Sequence, residues 1–282
     1  GGTGKTPLVE YAAEFYLKRG KAPLILSRGY GQDESKELAS KLTEARFGTG
    51  KNRFEEAQKA LAVKPADVVI LDDGFQHWPL KRDLDIVVVN VLNPFGNLSL
   101  IPRGVLREPL ESLKRANIVV LNDVNLRSRK EVEAIKAKIA GIAPKVEFIE
   151  AYHEAIYFYR PNSRIRMTPD RLHDKRVTVF SGIGMPRSFQ MLLNQAGIKT
   201  VRTYEFCDHH CFTKKELEEI RHMKDTSESD EVVTTEKDYY RCRELVSQIL
   251  NPLVLKVKLH ISMGDGMLNE HLNRVLREAV SA

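Results

Sequence analysis

The first residues of the chain have the composition of a phosphate-binding loop. Small residues let backbone N–H groups close around phosphate oxygens, and a helix that begins there adds partial positive charge. A lysine in such a loop reaches phosphate oxygens, and the hydroxyl beside it can bind Mg²⁺. These features are all present in the opening run Gly1-Gly2-Thr3-Gly4-Lys5-Thr6. The run therefore predicts a nucleotide-binding loop, with Thr6 as a candidate metal ligand.

Two adjacent carboxylates follow a short apolar segment. Residues 68–71 (Val-Val-Ile-Leu) predict a buried strand, and Asp72 and Asp73 come directly after it. In P-loop proteins a carboxylate at such a strand end faces the loop and holds the metal directly or through water. An acidic pair there can also cap a helix or form a solvated turn, but the phosphate-binding run favours the metal. The two motifs together predict ATP and Mg²⁺ as cofactors.

The elements that must position these residues alternate along the first half of the chain. Helical spacing of apolar residues predicts helices over 7–19, 54–63 and 128–142. Short apolar runs without polar alternation predict strands over 23–27, 68–71, 86–90 and 118–122. Strands of this kind are typical of a parallel sheet that is covered on both faces. We therefore predict an α/β P-loop NTPase-type core with a mostly parallel sheet.

A second α/β pattern begins after residue 151. Strands are predicted over 177–180, 200–204 and 232–234, with helices over 186–195 and 214–224. We predict a second, smaller α/β lobe joined to the core by a two-strand linker, in which segments 156–166 and 253–261 pair as a hinge. The predicted domains are a core over 1–150, a linker over 151–175, the second lobe over 176–262, and a terminal helix over 263–282 that returns to the core.

Composition limits the class of protein. The 282 residues are 42% hydrophobic and 29% charged, which excludes a disordered or fibrous chain. The net charge of +6 fits an anionic membrane surface, a phosphorylated substrate or nucleic acid. No run approaches the roughly 18 apolar residues that span a bilayer. Because Gly1 lies inside a motif that normally follows a strand, we expect a strand and an N-terminal anchor to precede it.

Further motifs carry a resemblance to one family over essentially the whole chain. They are residues 27–31 (Ser-Arg-Gly-Tyr-Gly), 72–77 (Asp-Asp-Gly-Phe-Gln-His), 82–83 (Arg-Asp), 93–97 (Asn-Pro-Phe-Gly-Asn), 102–104 (Pro-Arg-Gly), 106–109 (Leu-Arg-Glu-Pro), 182–186 (Gly-Ile-Gly-Met-Pro), 208–210 (Asp-His-His), 212–213 (Phe-Thr) and 235–238 (Thr-Glu-Lys-Asp). In order and spacing the chain resembles the tetraacyldisaccharide 4′-kinase family. The resemblance implies ATP-dependent phosphorylation of the 4′-hydroxyl of tetraacyldisaccharide 1-phosphate, which gives lipid IVA in lipid A biosynthesis. It also implies a glycolipid substrate and an anionic membrane surface as partners, at the cytoplasmic face of a membrane, and no nucleic acid.

The same resemblance implies roles for particular residues. Asp33 is the candidate base that takes the proton of the sugar hydroxyl, and His209 is its partner across a cleft between the lobes. Glu34 would assist the metal together with Thr6 and Asp72. The family's Gly-Asp-Glu-Pro element reads Gln-Asp-Glu-Ser at residues 32–35, so both carboxylates are kept while their neighbours differ.

Two arginines and an apolar surface complete the predicted site. Arg107, with Arg103 as second choice, would clamp a phosphate, because the planar guanidinium makes paired contacts with phosphate oxygens. The acyl chains of a lipid need an apolar surface, and an exposed aromatic side chain such as Phe95 could supply it.

Each assignment has an alternative. Asp33 and Glu34 would also suit the first turn of a solvated helix. The two histidines at 209 and 210 could be a non-catalytic pair, with Asp208 as a helix cap. His77 could contact nucleotide or only pack, and residues 235–238 could bind the nucleobase or cap a helix. At the level of class, a regulatory P-loop ATPase of the partitioning or metal-insertion type shares the opening loop but lacks the 106–109 element.

Overall fold

The computed structural model describes residues 4–29, 32–163, 165–226 and 228–278, and of residues 32–36 and 278 it describes the backbone alone. The helices are α1 (Lys5–Leu17), α2 (Gln32–Lys41), α3 (Arg53–Val63), α4 (Arg129–Ile142), α5 (Pro186–Gln195), α6 (Lys214–Thr226), α7 (Glu236–Arg241), α8 (Arg243–Ile249) and α9 (Asp265–Glu278). The strands are β1 (Pro23–Ser27), β2 (Arg46–Thr49), β3 (Val68–Leu71), β4 (Ile86–Asn90), β5 (Ile118–Asn122), β6 (Glu147–Tyr159), β7 (Arg166–Met167), β8 (Arg176–Ser181), β9 (Lys199–Glu205), β10 (Glu231–Thr235) and β11 (Leu253–Met263).

The chain divides into two compact units. The larger unit contains residues 4–28, 42–152 and 259–278, and the smaller unit contains Gly29–Lys41 and His153–Lys258. Strands β6 and β11 each run from one unit into the other. The predicted α/β class with a mostly parallel sheet is confirmed. The domain boundaries predicted from the sequence remain predictions.

Parallel strands organise the larger unit. Strand β1 lies between β2 and β3, with Leu26 paired with Leu71 at the strand end that precedes the acidic pair. Strands β4, β5 and β6 form a second parallel set, and all five residues of β5 are buried. The continuous burial of Ile118–Asn122 explains why this strand has no polar alternation.

Three of the apolar clusters among the described residues lie in the larger unit, the smallest around Leu24, Leu26 and Ala57. One packs α1 and α9 against the sheet, and the hydroxyl of Tyr16 donates a hydrogen bond of 3.0 Å to the backbone oxygen of Leu272. Another places Val132 and Ile139 of α4 beneath β5. Helix α4 begins at a capping box between Ser128 and Glu131, which satisfies backbone donors at its first turn.

The smaller unit contains the parallel strands β9, β8, β10 and β11 in that order. Its cores lie around Leu193 of α5 and around Phe180, which makes an edge contact with Phe212. Helix α2 belongs to this unit although it precedes β2 in sequence. Lys41 of α2 forms an ion pair of 2.7 Å with buried Glu236 of α7.

Most strands lie where the apolar runs predicted them, but one predicted strand was wrong in its bounds. The segment 156–166 was predicted as one extended strand, whereas β6 begins at Glu147 and ends at Tyr159. The chain then turns, with the N–H of Ser163 bonded to the oxygen of Arg160. Strands β6 and β11 are neighbours in the sheet, as the predicted pairing requires.

Candidate active site

Helix α1 begins at the phosphate-binding run. Gly4 is its N-cap, with φ of 99°, a left-handed conformation that glycine adopts without steric penalty. Lys5 and Thr6 lie in the first turn, where unpaired N–H groups and the helix dipole favour negative charge. The predicted nucleotide-binding residues Gly1, Gly2 and Thr3 lie outside the described residues. The described part of the run thus has the local geometry of a P-loop exit.

The acidic pair follows β3, as the sequence predicted. Asp72 is buried, and its N–H bonds to the oxygen of Leu26 at 2.9 Å. Asp73 has φ of 51°, so its backbone turns sharply away from the strand. A buried arginine, Arg53 of α3, donates to the backbone oxygens of Asp72 and Asp73 at 3.1 and 3.2 Å. Sequence reasoning missed Arg53, because an arginine in a first helical turn carries no signal of burial.

Asp73 brings two predicted site residues together. Its Oδ1 lies 3.6 Å from the Lys5 Nζ, and its Oδ2 accepts a hydrogen bond of 2.6 Å from the Arg107 guanidinium. Burial raises the pKa of Asp73, but the charges of Lys5, Arg107 and Arg53 outweigh this effect and hold the pKa below its usual value. Asp73 is therefore an anion bound by two cations, and we call this group the Lys5–Asp73–Arg107 cluster.

A residue of the 106–109 motif also contacts the loop that follows the acidic pair. Glu108 binds the guanidinium of Arg115 at 2.8 Å, and Arg115 lies over the rings of Phe75 and Trp78. Its Nη2 also donates to the backbone oxygen of Phe75 at 3.4 Å. Glu108 thus fixes residues 75–78, and Arg107 beside it reaches the cluster. The second-choice arginine, Arg103, is exposed on the preceding loop.

His77 lies in the loop after the acidic pair and is partly buried. Its Nε2 is buried and has no hydrogen-bond partner among the described residues. Burial, and then the charges of Arg53 and Arg82, lower the pKa of His77. The imidazole is thereby kept neutral, which suits either packing or a contact with nucleotide.

In the smaller unit, α2 carries the predicted base. Asp33 and Glu34 lie in the first turn of α2, and their side chains lie outside the described part of the structure. The last turn of α2 is anchored by Lys41, which binds Glu37 at 2.5 Å as well as Glu236. The pairing of Asp33 with His209, and the metal role of Glu34, remain predictions.

His209 lies in a strained turn of the same unit. Its φ is 63°, its N–H bonds to the oxygen of Gly182 at 3.1 Å, and its side chain is 42% exposed. The Nε2 atom lies 3.7 Å from Asp208 Oδ2, and Asp208 Oδ1 lies 3.5 Å from the Lys237 Nζ. Non-glycine residues with positive φ are kept at functional sites when the surroundings enforce them.

A buried ion pair enforces this turn. Asp238 is fully buried and accepts from the N–H of Gly182 at 3.0 Å and from Arg241 Nη1 at 2.8 Å. The same Nη1 donates to the backbone oxygens of Gly182 and His210 at 3.0 and 3.2 Å. The pair therefore ties the loop after β8 to the turn at His209. The 235–238 motif pointed to this region, but no pattern in the sequence indicated Arg241.

The structure shows the contacts of the residues near His209 and of the 235–238 motif. His210 stacks on Phe206 and lies 3.0 Å from Glu216, so it packs the turn. The cap of α6 is Thr213, whose hydroxyl accepts from the N–H of Glu216, and not Asp208. Likewise the Thr235 hydroxyl accepts from the N–H of Asp238 at 3.1 Å and caps α7.

Two kinds of feature are absent from the described ranges. No three His, Cys, Asp or Glu side chains of the described residues come together as a metal site. No described helix is both long and apolar enough to cross a membrane.

Comparison with known proteins gives a consistent result. The family model described as LpxK, tetraacyldisaccharide-1-P 4′-kinase, matches residues 1–46 and 33–277. The tetraacyldisaccharide 4′-kinase of Halothermothrix orenii is 32% identical over 299 residues, covering 93% of this chain and 78% of that protein. That of Anaeromyxobacter dehalogenans strain 2CP-1 is 36% identical over 266 residues, covering 86% and 69%.

A solved structure has the same fold. The crystal structure of LpxK from Aquifex aeolicus, described as an "apo" form in complex with ATP, superposes with a TM-score of 0.67 at 26% identity. The match covers 98% of this chain and 85% of that one. The likeness therefore extends over both units.

Proposed function

Because the chain belongs to the tetraacyldisaccharide 4′-kinase family, we propose that it transfers the γ-phosphate of ATP to the 4′-hydroxyl of tetraacyldisaccharide 1-phosphate, forming lipid IVA in lipid A biosynthesis. The observation that carries the proposal is the Lys5–Asp73–Arg107 cluster at the first turn of α1. Related kinases bear this activity in their names, and the A. aeolicus structure was obtained with ATP. A regulatory P-loop ATPase is not favoured, because the matching family consists of lipid kinases.

The cluster suits phosphoryl transfer for an electrostatic reason. The transferring group spreads negative charge over its equatorial oxygens, so catalysis depends on cations held in position. Lys5 and Arg107 both form ion pairs with Asp73. ATP phosphates compete with this carboxylate for the two cations. Lys5 would follow the migrating group, and Arg107 would hold a phosphate through its paired N–H groups.

The residues at the end of β3 fit Mg²⁺. The ion prefers oxygen ligands and is usually held by one or two carboxylates together with substrate phosphates and water. Thr6, Asp72 and Asp73 supply oxygen donors of this kind, so a full cluster of protein ligands is not required. Glu34 stays a further candidate from the resemblance to the family. When bound, Mg²⁺ neutralises charge on the phosphates.

The acceptor hydroxyl needs a base, and we assign this role to Asp33 with His209 as its partner. The strained turn at His209, enforced by Asp238 and Arg241, supports a functional rather than a packing role for this histidine. His210 has its own partner in Glu216 and is left out of the chemistry. We further propose that the reaction occurs at the cytoplasmic face of a membrane, with an anionic surface as partner and without nucleic acid.

The direct test is transfer of radiolabelled γ-phosphate to tetraacyldisaccharide 1-phosphate in mixed micelles. We expect a phosphorylated lipid that depends on Mg²⁺ and on the acceptor. ATP hydrolysis that is equally fast without the lipid, and with no labelled lipid formed, would instead support the regulatory ATPase.

The base assignment has its own test. Asp33→Ala should lower kcat far more than it weakens ATP binding, because a base acts in the transition state. If Asp33 and His209 work as one unit, the double alanine variant should be about as slow as the slower single variant. Penalties that multiply would show that the two residues act independently, and His210→Ala is the matched control.

A further inference from the structure

The loop that precedes Arg107 exposes apolar side chains. Residues 97–106, which we call the apolar loop, follow β4 in the larger unit. Leu98, Leu100, Ile101 and Val105 are 57%, 44%, 62% and 65% exposed. They are four of the eleven exposed large hydrophobic residues that the structure describes, and they lie within eight positions. Single exposed apolar residues are ordinary, but a group of them marks an interaction surface.

The exposed apolar side chains lie on a loop that backbone hydrogen bonds hold in place. The N–H of Ile101 bonds to the oxygen of Leu106, that of Leu106 to Ser99, and that of Gly104 to Leu100, at 2.9 to 3.2 Å. The Asn97 side chain also donates to the oxygen of Arg103 at 3.0 Å. A Cβ at Gly104 would lie 2.1 Å from the oxygen of Ser99, so only glycine permits this close approach. The loop is therefore held by its own hydrogen bonds while four of its apolar side chains stay exposed.

Phe95 does not contribute to this surface. It was a candidate for the exposed apolar contact, but it packs against the core of α4 with the ammonium of Lys138 4.4 Å from its ring centre. The apolar surface is instead aliphatic and begins three residues later.

The charges of the segment have one sign. Between residues 91 and 107 the charged side chains are Arg103 and Arg107, and there is no carboxylate. Arg103 is exposed beside Ile101 in sequence, while Arg107 is bound to Asp73. Aliphatic side chains flanked by arginine match the boundary of an anionic bilayer, where apolar groups enter the acyl region and cations contact headgroups.

We propose that the apolar loop is the surface by which the larger unit docks on an anionic lipid bilayer, with Leu98, Ile101 and Val105 entering the acyl boundary. This inference rests on the proposed function, since the substrate of such a kinase is a lipid. The loop ends at Arg107, which contacts Asp73 beside Lys5. Docking through the loop therefore brings the phosphate-binding cluster to the headgroup level, where the sugar hydroxyls of a glycolipid lie.

A bilayer fits this surface better than a protein partner does. Protein interfaces are enriched in aromatic side chains and in pockets that receive them. The exposed side chains of the apolar loop are branched aliphatic groups around a basic residue, with no aromatic ring among them. Such a surface gains from apolar burial and from headgroup attraction without needing a shaped partner.

Vesicle flotation without any substrate lipid tests the proposal. The wild-type chain should bind vesicles of phosphatidylglycerol and phosphatidylcholine, and less so phosphatidylcholine alone. The triple variant Leu98→Ser, Ile101→Ser, Val105→Ser should lose about tenfold or more in affinity, because each removes exposed apolar area. The control is Phe54→Ser, Val63→Ser, Ile165→Ser, which removes three exposed apolar side chains elsewhere and should bind like wild type. The proposal is overturned if the loop variant binds vesicles as tightly as wild type. It is also overturned if the control variant loses as much affinity as the loop variant.

Insertion can be measured separately from binding. Ile101→Trp in a Trp78→Phe background places the chain's single tryptophan on the loop, where brominated lipids should quench its fluorescence. An unquenched tryptophan in vesicle-bound protein overturns the proposal. So does a loop variant whose vesicle binding is unchanged but whose self-association in solution is lost, since the surface would then meet a second copy.

Failure of the proposed function would be seen in a separate assay of phosphate transfer. With substrate dispersed in detergent, where no bilayer is present, the triple loop variant should phosphorylate at the wild-type rate. Wild-type protein that binds vesicles but transfers no phosphate in detergent would refute the kinase assignment and leave the docking surface standing.

Discussion

Lys5 is the candidate cation for the phosphoryl group that is transferred. Its ammonium lies 3.6 Å from Asp73, and Lys5 is the first residue of α1, where we propose that phosphate binds. Lys5→Ala should reduce phosphoryl transfer by about a hundredfold or more, because a preorganised charge acts mainly in the transition state. Steady-state kinetics with Lys59→Ala as control tests this, since Lys59 is an exposed lysine on α3 paired only with Glu56 among the contacts described. Transfer at the wild-type rate would remove Lys5 from the mechanism.

Asp238 is expected to act through position rather than through contact with substrate. Asp238→Asn keeps the shape but weakens the hold on Arg241 and Gly182, which together fix the turn at His209. We expect a loss of about 2 kcal/mol or more in the free energy of unfolding, since one partner of a buried pair is removed. The kcat should fall while the KM for ATP is kept.

Urea unfolding together with steady-state kinetics measures both effects. Asp225→Asn, at an exposed position on α6, should change neither quantity. If stability falls while kcat is unchanged, Asp238 has only a structural role and does not position His209.

For single residues, the sequence indicated which residue types the candidate site contains better than it indicated which side chains they contact. The opening run and the acidic pair gave Lys5, Thr6 and Asp73 as candidates, because their spacing follows from the chemistry of phosphate. The contact between Arg107 and Asp73 spans 34 positions and depends on where a long loop returns. Buried Arg53 and Arg241 carry no sequence signal either, since a buried and an exposed arginine look alike in a single sequence.

Among the secondary-structure elements, α4 is fixed to the sheet by charge as well as by its apolar face. Glu150 of β6 is nearly buried and binds Arg129 at 2.7 Å and also Lys136, both on α4. Burial raises the pKa of Glu150, but the hydrogen bonds and charges of Lys136 and Arg129 outweigh this and lower it. The ionised carboxylate is therefore stabilised in the folded state.

The sign of this shift gives a pH prediction. A carboxyl group with a depressed folded pKa contributes stability above its unfolded pKa of about 4.3, and the contribution is lost as the pH falls through the folded pKa. The free energy of unfolding of wild type should thus exceed that of Glu150→Gln at pH 7, and the difference should shrink below about pH 4. Urea titrations at pH 7, 5, 4 and 3 measure it.

Glu133→Gln is the matched control, because Glu133 binds the same two cations from an exposed position. Its effect on stability should be within about 1 kcal/mol throughout. A difference between wild type and Glu150→Gln that stays constant down to pH 3 would show that the charge of Glu150 does not hold α4.

Element prediction from the sequence succeeded where one physical signal dominated. Strands β1, β3, β4 and β5 lie at their predicted residues, because uninterrupted apolar runs suit a doubly covered sheet. Strand β6 was placed too late, since its residues 147–155 mix polar and apolar types and its turn lies at 161–162. The short strand β2 was not predicted, because Arg46–Thr49 has too few apolar residues to show a period.

For the whole molecule, the division into two units has a basis in packing. The larger unit has cores around α1 with α9 and around α4, while the smaller unit has cores around Leu193 and Phe180. Each of these four clusters is contained in one unit. Chains whose cores are separate commonly depart from two-state unfolding. A bound ligand should then stabilise the unit that contains its binding site.

Separate cores in the two units predict two unfolding transitions with different sensitivities. Leu193→Ala should lower the midpoint of one transition, since deleting a fully buried leucine side chain costs about 2–5 kcal/mol. A non-hydrolysable ATP analogue with Mg²⁺ should raise the other, because it binds the Lys5–Asp73–Arg107 cluster of the larger unit, by about 2.7 kcal/mol at a hundredfold excess over Kd. Lys5→Ala should weaken the response to the analogue and leave the response to Leu193→Ala intact. Differential scanning calorimetry resolves the two transitions. A single transition that is shifted both by Leu193→Ala and by the analogue would show that the units unfold as one.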